Sequence, residues 1–193
     1  MERNITMHPT AWIAEGAKVG DGTVLWQYCN VMEGAEIGRN CKLGANVFVE
    51  NGVCIGNGVK IKNNIALYTG VKCEDDVFLG TNCVFTNVKT PRSFIDRKSE
   101  FKETLVKKGA TIGANTTIIC GNTIGRYAFV GAGAVITKDV PDYGLVMGNP
   151  SVMEGYVCKC GRRLAGQGEE YTCNECGNRY RLEEGVLSPV EEK

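Results

Sequence analysis

Four cysteines toward the C-terminal end stand in two close pairs, Cys158-Lys-Cys160-Gly and Cys173-Asn-Glu-Cys176-Gly, separated by twelve residues. Two knuckles, each followed by glycine, can present four thiolates to one tetrahedral ion, the ligand set of a structural zinc site. The first pair is one residue tighter than the usual spacing. Four sulfur ligands leave no open position for a substrate, so the chemistry expected here serves folding. About twenty-five residues build no core of their own without such a staple; a metal-free or disulfide-linked hairpin is the alternative. The other chemistry-bearing types are sparse. The chain has a single histidine, His8, near one end. It is read as structural, so a base that deprotonates a hydroxyl is missing, as are the three histidines of a trigonal metal site.

The elements that must position any site announce themselves by a six-residue beat. Apolar residues recur at Met7, Ile13, Val19, Leu25, Val31, Ile37, Leu43, Val49, Ile55, Ile61, Leu67, Cys73, Leu79 and Phe85. The beat resumes at Val106, Ile112, Ile118, Ile124, Val130 and Ile136. A small or branched residue follows four places later, as at Ala11, Thr23, Cys29, Cys41 and Val47, and glycine often follows the beat directly. A period of six matches no multiple of 3.6, which excludes helices. It predicts an all-β parallel coil in which three hexads close a triangle of eighteen residues and no unit buries its apolar face alone. Six to seven coils would make a prism roughly 30 Å long at ~4.8 Å per coil. The beat-following glycines are expected to relieve strain where the chain turns tightly. Cys29, Cys41, Cys73 and Cys83 fall on interior positions and read as small buried hydrophobes.

The segments follow from the beat. Residues 1–140 are expected to form the prism, interrupted by a charged external loop at 91–105. Residues 141–157, with two prolines and three glycines, would leave the coils and cap them. A zinc-ribbon-like module at 158–181 and a tail at 182–193 complete the chain. Lys+Arg and Asp+Glu both number 22, which gives no general attraction to nucleic acid or anionic membrane. No apolar run is long enough to span a bilayer and Met-Glu-Arg-Asn has no leader character. Free core thiols suit a reducing compartment, and the expected location is cytoplasmic.

A prism has no pocket of its own, so sites are expected where prisms pack side by side, usually as homotrimers. The stretch Cys83-Val-Phe-Thr-Asn87-Val-Lys-Thr-Pro-Arg92-Ser-Phe-Ile-Asp-Arg97-Lys98-Ser-Glu resembles the signature of left-handed β-helix N-acetyltransferases of nucleotide-linked amino sugars. So do Ile61-Lys-Asn-Asn64, Glu74-Asp-Asp-Val-Phe, Gly109-Ala-Thr-Ile-Gly-Ala-Asn115, Val130-Gly-Ala-Gly-Ala and Gly148-Asn-Pro150. The likeness is greatest to enzymes that acetylate the 3-amino group of UDP-2-acetamido-3-amino-2,3-dideoxyglucuronate for surface polysaccharides. Enzymes of dTDP-3-amino-deoxysugars are the next reading, and a non-catalytic scaffold subunit is the rival outside catalysis.

The resemblance implies acetyl-CoA as donor and a UDP-linked amino sugar as acceptor. An amine with electron-withdrawing neighbours has a pKa near ~8 or below, so a useful fraction attacks without a base. Asn87 is the candidate to accept from the amine or donate to the oxyanion, unless it is only a corner asparagine in a left-handed turn. Arg92, Arg97 and Lys98 would clamp the pyrophosphate, or form a solvated loop. Asn46 and Asn64 would see the nucleotide sugar, although with Asn82 they lie eighteen apart and also fit a structural ladder. Lys60 and Tyr68 are candidates for the sugar or its carboxylate. For coenzyme A, the small Ala114, Ala132 and Gly133, with Asn115, would admit the pantetheine arm, with Arg126 and Lys138 for its phosphates. Ordinary prism packing is the alternative for the alanines.

Overall fold

The computed structural model describes residues 4–190. Two-residue strands recur on the beat, from Thr6–Met7, Trp12–Ile13 and Lys18–Val19 to Phe129–Val130 and Val135–Ile136. Strands eighteen residues apart pair in parallel and in register, as Val24 with Lys42 and Lys42 with Lys60. One coil is therefore three hexads, and the strands form three faces. Face 1 starts at Thr6–Met7, face 2 at Trp12–Ile13 and face 3 at Lys18–Val19. Corner 1 joins faces 1 and 2, corner 2 joins faces 2 and 3, and corner 3 returns to face 1. Face 1 carries eight parallel strands, the last being Gly144–Met147, before the antiparallel strand Val152–Tyr156 ends it.

Alternation along each strand turns the beat residue inward. Leu25, Leu43, Ile61, Leu79, Ile112 and Ile136 are fully buried in one continuous core. The small position works as expected and adds a bond. Thr23 Oγ1, Cys29 Sγ and Cys41 Sγ donate to the carbonyls of Gly38, Gly44 and Gly56, at 2.9, 3.0 and 3.1 Å. These thiols are satisfied core groups. Burial pushes the Cys73 and Cys83 thiols up to about 12, which rules them out as nucleophiles near neutrality.

The glycines have a different reason from the one expected. The tight-turn position is the third residue past the beat, with φ of 58°, 60°, 58° and 56° at Asn46, Asn64, Asn82 and Asn115. The beat-following glycines turn normally but lie against the next coil: a Cβ on Gly113 would fall 2.4 Å from the Ala132 nitrogen. They are small because coils are a strand spacing apart there.

The external loop also differs from 91–105. Thr104–Val106 is a strand paired with Val71–Cys73, and the Lys102 amide donates to the Asn87 carbonyl at 2.8 Å. The excursion thus runs from Asn87 to Glu103 and contains one 3-10 turn, Lys98–Glu100. Apolar periodicity missed the re-entry because the first inward residue there is the polar Thr104, which is buried. At the other end, residues 141–147 do not leave the prism, since Gly144–Met147 pairs in parallel with Phe129–Val130. Residues 182–190 are not a tail: Arg179–Glu183 and Val186–Pro189 form a hairpin within a four-stranded sheet, with Leu187 buried. Residues 191–193 lie outside the described ones.

Candidate functional site

Eighteen-residue arithmetic assigns every candidate side chain to a corner. Corner 1 stacks Asn46, Asn64 and Asn82, then Asn115 and Gly133, all in the left-handed region. Asn46 Nδ2 donates to Asn64 Oδ1 at 3.0 Å, so the structural ladder is present. Beside it, on the edge of face 1, is a hollow of about 300 Å³ lined by Trp26, Lys42, Gly44, Lys60, Lys62 and Asn63. Gly44 lies one coil above Trp26 and one below Lys62, and is glycine because the backbone of Lys62 and Asn63 lies against it. Three ammonium groups and an indole with half its surface exposed make this a place for an anion attached to a planar ring. Sequence reasoning found Lys60 and missed Trp26, Lys42 and Lys62. Reading residues eighteen apart would have found them, because each is exposed beside a beat residue.

Corner 2 carries the second group. Asn87 is half-buried at the root of the loop, one coil above Thr69 and one below Cys120, with Tyr68 beneath its neighbour Thr86. It does not occupy the left-handed region. Its backbone oxygen is used by Lys102, and among the described residues no hydrogen bond engages its side-chain amide. The carboxylates nearby are occupied. Glu50 Oε2 accepts from the Thr69 amide and hydroxyl at 2.7 and 2.9 Å. Glu103 pairs with Lys72 at 2.6 Å, and Asp96 accepts from the Lys98 amide at 2.9 Å. On the loop, Arg97 is held by Glu100 at 2.7 Å and Arg92 Nη1 donates to the Pro91 carbonyl at 3.2 Å, so among the three expected phosphate ligands Arg92 and Lys98 are the two without an ion pair among the described residues. His8 bonds to Thr10 at 2.9 Å in the first coil. That is four coils below the level of Asn87, about 19 Å along the axis, beyond the reach of a general base.

The coenzyme candidates are only partly brought together. Ala114, Asn115, Ala132 and Gly133 share corner 1, above the hollow. Arg126, Ala132 and Lys138 are six residues apart and therefore stand on three successive corners. Lys138 lies on corner 2, two coils above Asn87. Arg126 lies on corner 3, with its amide on Asp142 at 2.8 Å, and cannot share a groove with Ala114 in one chain. A strictly periodic coil makes such separations unavoidable.

The outward surfaces differ. Face 3 carries paired charges, Lys18 with Glu36 and Lys72 with Glu103. Face 2 presents Trp12 and Val84, 50% and 49% exposed, with Asn30, Phe48 and Ala66 between them. No helix among the described residues is long and apolar enough to cross a membrane. At the C-terminal end, the sulfurs of Cys158, Cys160, Cys173 and Cys176 lie within 4.8 Å of one another, a cluster that could hold one metal ion.

Comparison with known proteins bears on this geometry. The family model of bacterial transferase hexapeptides (six repeats) matches residues 16–51, and that of the hexapeptide repeat of succinyl-transferase matches 34–69 and 108–138. The chain belongs to the hexapeptide-repeat acetyltransferases, and it is an enzyme of that class. One relative is similar over nearly its whole length: dTDP-3-amino-3,6-dideoxy-alpha-D-galactopyranose 3-N-acetyltransferase of Aneurinibacillus thermoaerophilus is 47% identical over 184 residues, covering 95% of this chain and 94% of the relative. The bifunctional protein GlmU of Thermotoga maritima is 40% identical over 86 residues, 44% of this chain and 19% of that protein. Among solved structures, a hexapeptide transferase family protein from Anaplasma phagocytophilum has a TM-score of 0.54 at 17% identity over 80% of each chain, a likeness of fold.

Proposed function

We propose that the protein transfers the acetyl group of acetyl-CoA to the 3-amino group of a nucleotide-linked 3-amino sugar, in clefts between the prisms of a homotrimer. The full-length likeness to a 3-N-acetyltransferase carries this reading. The geometry supports it. Corners 1 and 2 of one chain stand at opposite edges of face 2, up to about 20 Å apart for a six-residue span. If the largely apolar face 2 of three prisms surrounds a common axis, corner 1 of each meets corner 2 of the next at equal height. Asn87 and the loop then reach over the neighbour's hollow and ladder, each site drawing on two subunits.

In this arrangement the nucleotide base stacks on Trp26, and Lys42, Lys60 and Lys62 meet the pyrophosphate, helped by Arg92 and Lys98 of the loop. Asn46, Asn64 and Tyr68 remain candidates for the sugar. The pantetheine arm descends corner 1 past Ala132, Gly133, Ala114 and Asn115, with Lys138 supplied from the adjoining corner 2. Donor and acceptor meet near the coil of Asn82 and Asn87.

The transfer needs no imidazole. The neutral amine attacks the thioester carbon and the carbonyl electrons move to oxygen. Asn87 donates to that oxygen, or accepts from the amine, and so orients the pair. Collapse breaks the carbon–sulfur bond, and the ammonium proton passes to the departing thiolate, leaving an amide and free coenzyme A. The amine and thiol have ordinary pKa values of ~8 and ~8.5, close enough for that exchange. Structural zinc belongs to the same reading but outside the reaction, because four cysteine ligands leave it no open position.

The acceptor supported best is a dTDP-linked 3-amino-deoxyhexose, as in the 47%-identical relative. The UDP-linked 3-amino uronate of the motif resemblance is the second reading, favoured by one observation. Three lysines line the hollow, one more than the two charges of a nucleotide sugar's pyrophosphate require, and the third suits a carboxylate. Either product would feed a surface polysaccharide in the cytoplasm. Free-thiol release from acetyl-CoA with a panel of dTDP- and UDP-linked amino sugars tests the reading; no release with any would favour a non-catalytic scaffold. Sedimentation as a monomer would remove the shared cleft.

A further inference from the structure

The module at the C-terminal end is tied to the prism by a column that begins at its sulfurs. Cys158 and Cys176 have Sγ atoms 3.4 Å apart, and Cys160 and Cys173 3.6 Å. A tetrahedral zinc with bonds of 2.3 Å spaces its sulfurs by about 3.8 Å, and all four lie within 4.8 Å of one another, so shifts of up to about 1 Å would close the set. The two knuckles are formed: the Gly161 amide donates to the Cys158 carbonyl and the Gly177 amide to the Cys173 carbonyl. The Tyr180 hydroxyl adjoins one of these sulfurs. It accepts from the Lys159 amide at 3.0 Å and lies 3.1 Å from Cys158 Sγ. Either atom can donate across that contact, and with a metal-bound thiolate at Cys158 the hydroxyl proton is the one that fills it.

From Tyr180 the contact continues into the coil. Its ring meets Tyr143 edge-on, 5.3 Å between centroids, and Tyr143 stacks on Tyr127 at 5.5 Å. Tyr127 and Tyr143 hold the left-handed position of corner 3, with φ of 53° and 60°, where earlier coils place Gly58, Asp76 and Gly109. A bulky side chain there is strained and persists only where its surroundings hold it. The corner's backbone ladder also runs on, from Tyr143 N to the Arg126 carbonyl at 2.7 Å and from Val157 N to the Tyr143 carbonyl at 2.8 Å.

We infer that the four-cysteine site, loaded with zinc, is a clamp on the last coils of the prism, acting through Tyr180, Tyr143 and Tyr127 on corner 3. The inference rests on the zinc reading and adds that metal occupancy controls order in residues 123–147. These lie at the end of the prism where the coenzyme candidates stand.

Zinc and thiol content of the full chain purified without chelator, followed by hydrogen exchange with and without the metal, tests both. One zinc per chain is expected, with exchange on its removal accelerating in 158–189 and also in 123–147. Zinc below half an equivalent, or two disulfides, would overturn the site itself. A full equivalent whose removal leaves 123–147 as protected as before would overturn the clamp alone. Should the metal-free chain precipitate, Tyr180→Phe supplies the reading in metal-loaded protein. Loss of a bond to a charged sulfur predicts about tenfold faster exchange in 123–147 with zinc retained; unchanged exchange would refute the column.

Discussion

Replacing Gly113 and Gly133, one at a time, by asparagine separates the two reasons for glycine in this coil. At Gly113 the backbone turns normally, but an added Cβ would sit 2.4 Å from the Ala132 nitrogen and 2.7 Å from its Cα. Backbone lies on both sides of that contact, so no side chain can swing away and the coils must part by about 1 Å. Overpacking of this kind costs 1–3 kcal/mol, and the larger value applies where main chain is the obstacle. At Gly133 the φ is +71° and nothing lies within 4 Å of an added Cβ. Asparagine tolerates that conformation and already adopts it below, at Asn115 and Asn82. Fewer unfolded conformations should even stabilise Gly133→Asn by about 0.4–1 kcal/mol. Thermal unfolding followed by circular dichroism at one scan rate should show Gly113→Asn losing about 6–12 °C, at 2–4 °C per kcal/mol for a chain of this size. Gly133→Asn should stay level or rise. Equal losses, or the reverse order, would refute the steric assignment.

Asn87→Ala should lower turnover by about 10²–10³-fold while leaving the KM for acetyl-CoA nearly unchanged; steady-state thiol release measures both, and full turnover would remove Asn87 from the reaction. Trp26→Ala should raise the KM for the nucleotide sugar about tenfold with kcat retained, the loss of one base–aromatic stack. An unaltered KM would place the nucleotide elsewhere. His8→Ala should leave the rate and its pH profile as they are. The profile should rise through one ionisation that follows the acceptor amine when substrates of different amine basicity are compared, and an enzyme-borne inflection that disappears with His8 would overturn the base-free mechanism.

Much of this was legible in the chain itself. A beat of twenty apolar residues admits one architecture, because inward side chains of a triangular coil recur every six residues and neighbours stack every eighteen. The interior cysteines, the asparagine ladder and the cysteine pairs all follow from local spacing. What periodicity could not supply is anything that departs from it. The re-entry of the loop was hidden because Thr104, a polar residue, takes the first inward place. The hairpin ending at Pro189 was hidden because its pairing is antiparallel and obeys a period of two. The six-residue spacing of Arg126, Ala132 and Lys138 already implied three directions, and the eighteen-residue spacing of Trp26, Gly44 and Lys62 a shared column; only the folded coil decided that Trp26, Lys42 and Lys62 line a hollow. A one-dimensional repeat determines which residues lie inward; which outward residues become neighbours depends on how the coils stack, and on the surface of another copy.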